Sequence, residues 1–267
     1  MPALFSVALK PALSAIQARL GPGELVVAYL DDIYLITAPE NARRAYDITA
    51  EVLRQMCGIE VNQGKLVCWS RSGGAAPPGI SALDPADHTV WRGVAGSVGG
   101  SGIVVVGVPV GDDEFVNSHG RALGHQHQEF LESLLRLPFV QHSWLLLLFC
   151  SVPRANHLLR TVSPTQVTEF ATAHDARVLH CFERLLGLTP GAETEQSHEI
   201  SRDLWVRQVR LPFRFGGCGL RSSLRTAPAA HWASWADALP VLRVRFAAIT
   251  EAACGAMDAA STAESIA

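Results

Sequence analysis

The chain has 267 residues, of which 48% are apolar and 18% charged, with a formal net charge of -3. That length holds one large domain or two small ones with a real core, and the composition excludes a disordered chain, a collagen-like fibre and a uniformly basic nucleic-acid coat. Six cysteines (57, 68, 150, 181, 218 and 254) stand singly with no C-x-x-C pair, so neither a disulfide scaffold nor a zinc ribbon is written here and a reducing compartment fits.

The apolar N-terminal stretch has no basic region before it and runs straight into Lys10 and Pro11, so it reads as part of the fold and not as a cleaved signal. A tight hairpin is expected in Leu25 to Thr37, where two apolar, β-branched and aromatic runs flank Asp31 and Asp32. Next, Asn41 to Met56 carries Ala45, Ile48, Thr49, Val52, Leu53 and Met56 at helical spacing, with Gly58 as the stop. Ile59 to Val61 and Lys65 to Trp69 read as short strands joined through Asn62, Gln63 and Gly64.

Residues 70–102 are interrupted by glycine and proline throughout, the pattern of a long loop. Order returns at Ile103 to Val110, a strand pair or bent strand centred on Gly107. From His119 to Pro240 the pattern is helical, near 121–137, 140–150, 164–186, 199–210 and 227–239, with Ser163-Pro164 as a helix start and Gly187 as a stop. The best apolar run, Trp144 to Cys150, falls far short of the roughly 18 residues a membrane helix needs, and no membrane partner is expected. The tail from Ala247 has nine alanines in 21 residues and no clear apolar face, so frayed helix or coil is expected there.

Charge is unevenly placed. Between Ser201 and Thr226 lie Arg202, Arg207, Arg210, Arg214, Arg221 and Arg225 against a single acid, Asp203, a local net charge of +5. Such a stretch suits phosphates, although a solvated helix face has the same composition, and arginine outnumbers lysine 20 to 2 overall. Trp205, Trp232 and Trp235 read as core anchors. Asp112-Asp113-Glu114 reads as a solvated turn, the glycines of 96–102 as a linker without a phosphate-loop lysine, and the histidines at 125, 127, 174 and 180 as lacking a complementary ligand pair at zinc spacing.

The feature with the most chemistry in it is Tyr29-Leu30-Asp31-Asp32. Two adjacent carboxylates held between apolar strands are costly unless a cation or donors offset their charge, and magnesium at such a pair can orient phosphate oxygens for in-line attack. The plainer reading is a turn that uses Asp for its backbone hydrogen bonds. AYLDDIYLI resembles the Y-x-D-D hairpin of reverse transcriptases, and further pieces follow in that family's order. MPALFSVALKPAL (1–13) looks like the tail of the preceding palm motif. GIEVNQGKLVCW (58–69) looks like the following one, with Gly58, Asn62 and Lys65 at the family's spacing. VVVGVPVG (104–111) resembles the primer-gripping hairpin of non-LTR, LINE-type retroelement enzymes, and residues 145–160 and 211–240 look like their thumb-side extension.

The resemblance implies an α+β fold: the C-terminal part of a right-hand polymerase palm, with a short antiparallel sheet and a helix, followed by an all-helical thumb-like region. It divides the chain into a partial palm (1–69), a Gly/Pro-rich loop (70–102), a primer-grip-like hairpin (103–116), the thumb-like region (117–245) and an Ala-rich tail (246–267). It also implies magnesium at Asp31 and Asp32, with Tyr29, Leu30 and Gly107 near the primer end and Lys65 near the phosphates of an incoming deoxynucleoside triphosphate. An RNA template and a DNA primer would then meet the arginines from 202 to 225, in a nuclear or cytoplasmic setting. Leucine at the variable position of the motif is a mild departure. A larger one is that the family's first metal-binding aspartate and its Q-G-D-P motif lie upstream of any segment matched here. The expectation is therefore a fragment that binds magnesium weakly, polymerises nothing alone and keeps an apolar sheet edge open. The competing expectation is a non-catalytic nucleic-acid-binding remnant in which the arginines matter and Asp31 does not.

Overall fold

Leu9, Ala12 and Ile16 recur at helical spacing and put one stripe of helix α1 (Pro2–Arg19) in the interior. The matching stripe of α2 (Ala42–Cys57) is Ala45, Ile48, Thr49, Val52 and Leu53. Gly58 ends α2 in the left-handed conformation at φ 65°, which a residue without Cβ adopts freely. Met56, expected on the same stripe, is exposed instead, and in the last turn of α2 it is Leu53 and Cys57 that meet the core. The chain is described here from a computed structural model covering residues 2–86, 89–93, 99–188 and 202–264, and it divides into two compact units, Met1–Ser118 and His119–Ala267.

In the first unit, strands β1 (Leu25–Tyr29) and β2 (Asp32–Ile36) pair antiparallel with Tyr29 opposite Asp32, leaving Leu30 and Asp31 as a two-residue turn. Strand alternation turns Val26, Ala28, Ile33 and Leu35 onto the α1/α2 core. A two-stranded hairpin is marginal in water, so this packing is what holds it. The other face leaves Val27, Tyr29 and Ile36 exposed. The outer edge of β1 is partly satisfied from α1: Gln17 Oε1 accepts the Val26 N–H at 3.0 Å and Gln17 Nε2 donates to the Glu24 carbonyl at 2.9 Å.

No strands form at 59–61 or 65–69. The Asn62 side chain accepts the Gly64 N–H at 3.0 Å and nucleates a 3-10 turn over Gln63–Lys65, a local bond that competes with any ladder. Only an isolated parallel bridge survives, between Cys68 and Trp91. That bridge organises the glycine-rich loop, whose Ile80, Leu83 and Val90 form a small core of their own with Tyr46 and Leu66. The middle of the expected linker, 96–98, lies outside the described residues. Strands β3 (Gly102–Val105) and β4 (Val108–Gly111) then form a second two-stranded hairpin around Val106 and Gly107. The acidic run after it is no solvated loop: Asp112 Oδ1 accepts the Phe115 N–H and Oδ2 the Ser101 N–H, both at 2.8 Å. Asp113 and Glu114 follow in the first turn of α3 (Asp113–Leu134), where acids suit the helix dipole.

Among its described residues the second unit is built of helices joined by turns and loops, with no strand. After α3 come α4 (Val140–Leu146), a π-helical stretch at Leu147–Ser151, α5 (Asn156–Thr161), α6 (Pro164–Leu185), α7 (Arg202–Arg210), α8 (Ser223–Arg245) and α9 (Ala247–Glu264). Ser163 caps α6 by accepting the Gln166 N–H, with Pro164 at the first helical position. The core joins Leu131 and Leu134 of α3, Leu147, Val178 and Phe182 of α6, and Val209 of α7. Trp205 stacks on Phe182 with ring centroids 6.0 Å apart, but Trp232 faces solvent, so only part of the tryptophan set anchors the core. The alanine-rich tail is helical through Glu264, as alanine's high helix propensity favours.

Candidate functional site

Asp31 and Asp32 stand at the tip of the first hairpin, Asp31 in the turn and Asp32 at the start of β2. Both are exposed, so water screens their mutual repulsion and the pair does not by itself require a cation. This corrects the expectation of carboxylates squeezed between apolar strands. Leu30 makes the turn at φ 56°, a conformation costly for a side chain with Cβ. Among the described residues one other non-glycine residue shares a positive φ, Val106 at 52°, and it makes the turn of the second hairpin beside Gly107 at 76°. Both strained positions are hairpin tips. Strain of this kind persists only where surrounding structure fixes it.

What joins the two hairpins is Tyr34. Its hydroxyl accepts the Val106 N–H at 3.3 Å and donates to Asp32 Oδ2 at 3.4 Å. Burial raises the tyrosine pKa above its usual value, with nearby Asp32 and Asp31 adding to the rise, so the phenol stays protonated and able to donate. Tyr34 was not singled out by sequence reading; its place two residues after Asp32, on the same strand face, is the signal that could have found it. Removing the hydroxyl in Tyr34→Phe should cost at most about 1 kcal/mol of stability while taking this acceptor from the Val106 amide. Hydrogen exchange should then quicken at Val106 and leave α2 unchanged; an unchanged Val106 rate would mean that the bond does not hold the tip.

The remaining expected residues are dispersed. Tyr29 is exposed on the outer face of β1 and pairs with Asp32 in the ladder. Lys65 is exposed at the end of its 3-10 turn, and no ion pair among the described residues includes it. The arginines belong to the second unit. Arg202 opens α7, and its side chain lies outside the described residues. Arg210 is half-buried and reaches Asp175 of α6 at 3.5 Å, so it is partly committed to the fold. Arg207, Arg214, Arg221 and Arg225 are exposed, and Arg214 lies 4.8 Å over the Phe215 ring.

Two carboxylates that sequence reading missed are the best-satisfied ones. Glu24 precedes β1; its Oε1 accepts from Thr37 Oγ1 at 2.6 Å, just past β2, and its Oε2 accepts from the Gly21 N–H and Arg44 Nη2, both at 2.5 Å. It closes the open end of the hairpin onto α2. Asp175 accepts from Ser222 Oγ and the Ser223 N–H, both at 2.6 Å, and so caps α8. Both are structural. His127 and His174, set aside as metal ligands, stack with centroids 4.8 Å apart in the interior, and His127 Nε2 lies 2.6 Å from Ser151 Oγ. Burial, then the neighbouring His174, pushes His127 down to about 3. Among the described residues no group of three or more His, Cys, Asp or Glu is placed to hold a metal ion, and no helix is long and apolar enough to cross a membrane.

No family model matches the chain, and no solved structure matches it. It is similar to the 132 kDa protein of the retrotransposable element SLACS from Trypanosoma brucei gambiense, with 24% identity over 241 residues. The match takes in 86% of this chain and 17% of that protein, so the chain spans a minor part of the relative's length. The similarity points to a retroelement origin.

Proposed function

We propose, for a chain of retroelement origin, that the Asp31–Asp32 hairpin is the carboxylate-bearing part of a reverse-transcriptase-type nucleotidyl-transfer centre. The observation that carries this reading is the convergence of the two strained hairpin tips, one bearing the acid pair and the other Val106 and Gly107, through Tyr34. In the family order of motifs these correspond to the carboxylate hairpin and the primer grip.

The donors fit the expected ion: two adjacent, solvent-facing carboxylates are hard oxygen ligands of the type magnesium takes. Bound there, magnesium would supply positive charge to phosphate oxygens as a primer 3′-hydroxyl attacks the α-phosphate of a deoxynucleoside triphosphate and pyrophosphate leaves. Asp31 and Asp32 would hold it, Tyr34 would keep the Asp32 carboxylate turned, and Tyr29, Leu30 and Gly107 would border the primer end. Lys65 would have to reach the phosphates from its exposed turn, where its ammonium would stabilise the leaving charge. A two-ion centre needs more ligands than one acid pair, so the purified chain is expected to bind magnesium weakly and to extend no primer.

Manganese, as a paramagnetic stand-in, tests the site directly. Amide signals of residues 30–33 should broaden first on its addition, and the effect should vanish in Asp31→Ala. Broadening centred elsewhere would remove the hairpin as the metal site. In a primer-extension assay on an RNA template, robust synthesis by the purified chain, abolished by Asp31→Ala, would overturn the expected inactivity. A second reading, binding of nucleic acid without chemistry, is favoured by the four exposed arginines. It predicts affinity for an RNA/DNA hybrid that falls with salt and ignores Asp31→Ala.

A further inference from the structure

A cleft of about 380 Å³ in the helical unit opens between the π-helical stretch, the segment after α7 and the start of α8. Its walls mix two chemistries. Phe149 and Phe213 line it and are 68% and 59% exposed, an unusual state for large aromatics unless something covers them. Arg210 and Arg221 line it as well. None of the described residues that line the cleft is a carboxylate, and Asp175, which meets Arg210, is already engaged by Ser222, the Ser223 N–H and Arg210, with a side chain only 9% exposed. It therefore presents little negative charge to the cleft. The N-terminus of α8 is likewise occupied by Asp175, so anion affinity here would come from guanidinium groups.

We infer that this cleft seats an unpaired nucleotide of a single-stranded nucleic acid, its base against Phe149 and Phe213 and its phosphates on Arg210 and Arg221. This rests on the nucleic-acid reading of the arginine stretch and not on the carboxylate chemistry of the first unit. The volume suits one nucleotide, a ligand of the size that such clefts hold. Aromatic faces take any base by stacking, and arginines follow the backbone. Arg207 and Arg210 share one face of α7 at i, i+3 spacing, and Arg225 sits in the first turn of α8, so the charge extends beyond the cleft on both flanking helices. Charge decides the class of occupant: four exposed arginines have no carboxylate partner among the described residues. An acidic peptide would satisfy them but would leave the two phenylalanine faces unused.

Fluorescence anisotropy with the full chain and a labelled oligo(dT) of about 12 nucleotides tests this. Phe213→Ala should weaken binding about ten-fold, and Phe149→Ala should act in the same direction. Arg221→Gln should reduce the slope of log affinity against log salt by about 0.7, one single-strand phosphate contact. Both phenylalanines are exposed, so circular dichroism should show unchanged helix content, and a variant that loses helix is replaced by the other. Asp31→Ala should leave binding intact, which keeps failure of the metal reading separate from failure of this one. The proposal is overturned if blunt duplex DNA binds as tightly as oligo(dT), if polyglutamate competes equally, or if both phenylalanine variants bind like the parent chain.

Discussion

Asp175→Ala is expected to lower the stability of the helical unit by about 3 kcal/mol, well beyond the half kcal/mol typical of a surface change. The carboxylate accepts from Ser222 Oγ, from the Ser223 N–H and, at 3.4 Å, from the Leu224 N–H, and it faces Arg210. Alanine leaves the Ser222 hydroxyl, two N–H groups at the start of α8 and a half-buried guanidinium without their acceptor. Each lost partner at a buried site costs about 1–3 kcal/mol, with solvent recovering part of the exposed ones. Asn keeps one acceptor and should cost about half as much. Urea unfolding followed by helix signal measures both, and an alanine variant within about 0.5 kcal/mol of the parent would show that α8 is held by packing alone.

Glu24→Gln is expected to cost roughly 2 kcal/mol in the first unit, because an amide presents donors to partners that are themselves donors. The carboxylate is held down to about 2, chiefly by the Thr37 hydroxyl, then by the Gly21 N–H and by Arg44, against an opposing effect of burial. A carboxyl whose folded value lies below its ordinary 4.5 stabilises the fold fully above that pH. That contribution is lost as pH falls from 4.5 through about 2. Arg44 is half-exposed, so screening by salt trims the effect. His127 sets a different window for the helical unit. Its ordinary value of 6.5 is lowered to about 3, so the neutral ring is favoured and stability drains between those limits on acidification. The two units should therefore respond to acid in separate steps, the helical one first, and the lower step should shrink in Glu24→Gln. A single step unaffected by that variant would contradict the assignment.

Local chemistry made part of this molecule legible. The Leu25 to Thr37 hairpin, the apolar stripe of α2, the left-handed Gly58 and the Ser163-Pro164 start of α6 all follow from residues within a few positions of one another. What escaped reading depends on partners far along the chain or on side chains that redirect the backbone. Asn62 turned two expected strands into a 3-10 turn by bonding two residues ahead. Asp175 is spoken for by residues 47 and 48 positions away, and Glu24 by Arg44 across 20. Helix α1 carries a proline and apolar residues on every side, which blurs the periodicity that betrays a helix. Of the candidate site, the acid pair and Gly107 could be picked out by motif, whereas Tyr34 is marked only by sharing the strand face of Asp32, and its bond to Val106 forms only when the second hairpin folds back onto it.

The π-helical stretch at Leu147–Ser151 carries a consequence for how this segment tolerates length change. A π turn accommodates one more residue than the α-helical path it replaces, so losing one residue there would let the helix regularise while the residues downstream keep their facing. Val152 and Ala155 would then hold the interior places they now occupy. In the α-helical turns on either side, where no residue is spare, the same loss would turn everything downstream by about 100°. Length change should accordingly be tolerated at 147–151 and resisted in α4 and α5. The apolar run carries one residue of slack that its composition does not reveal.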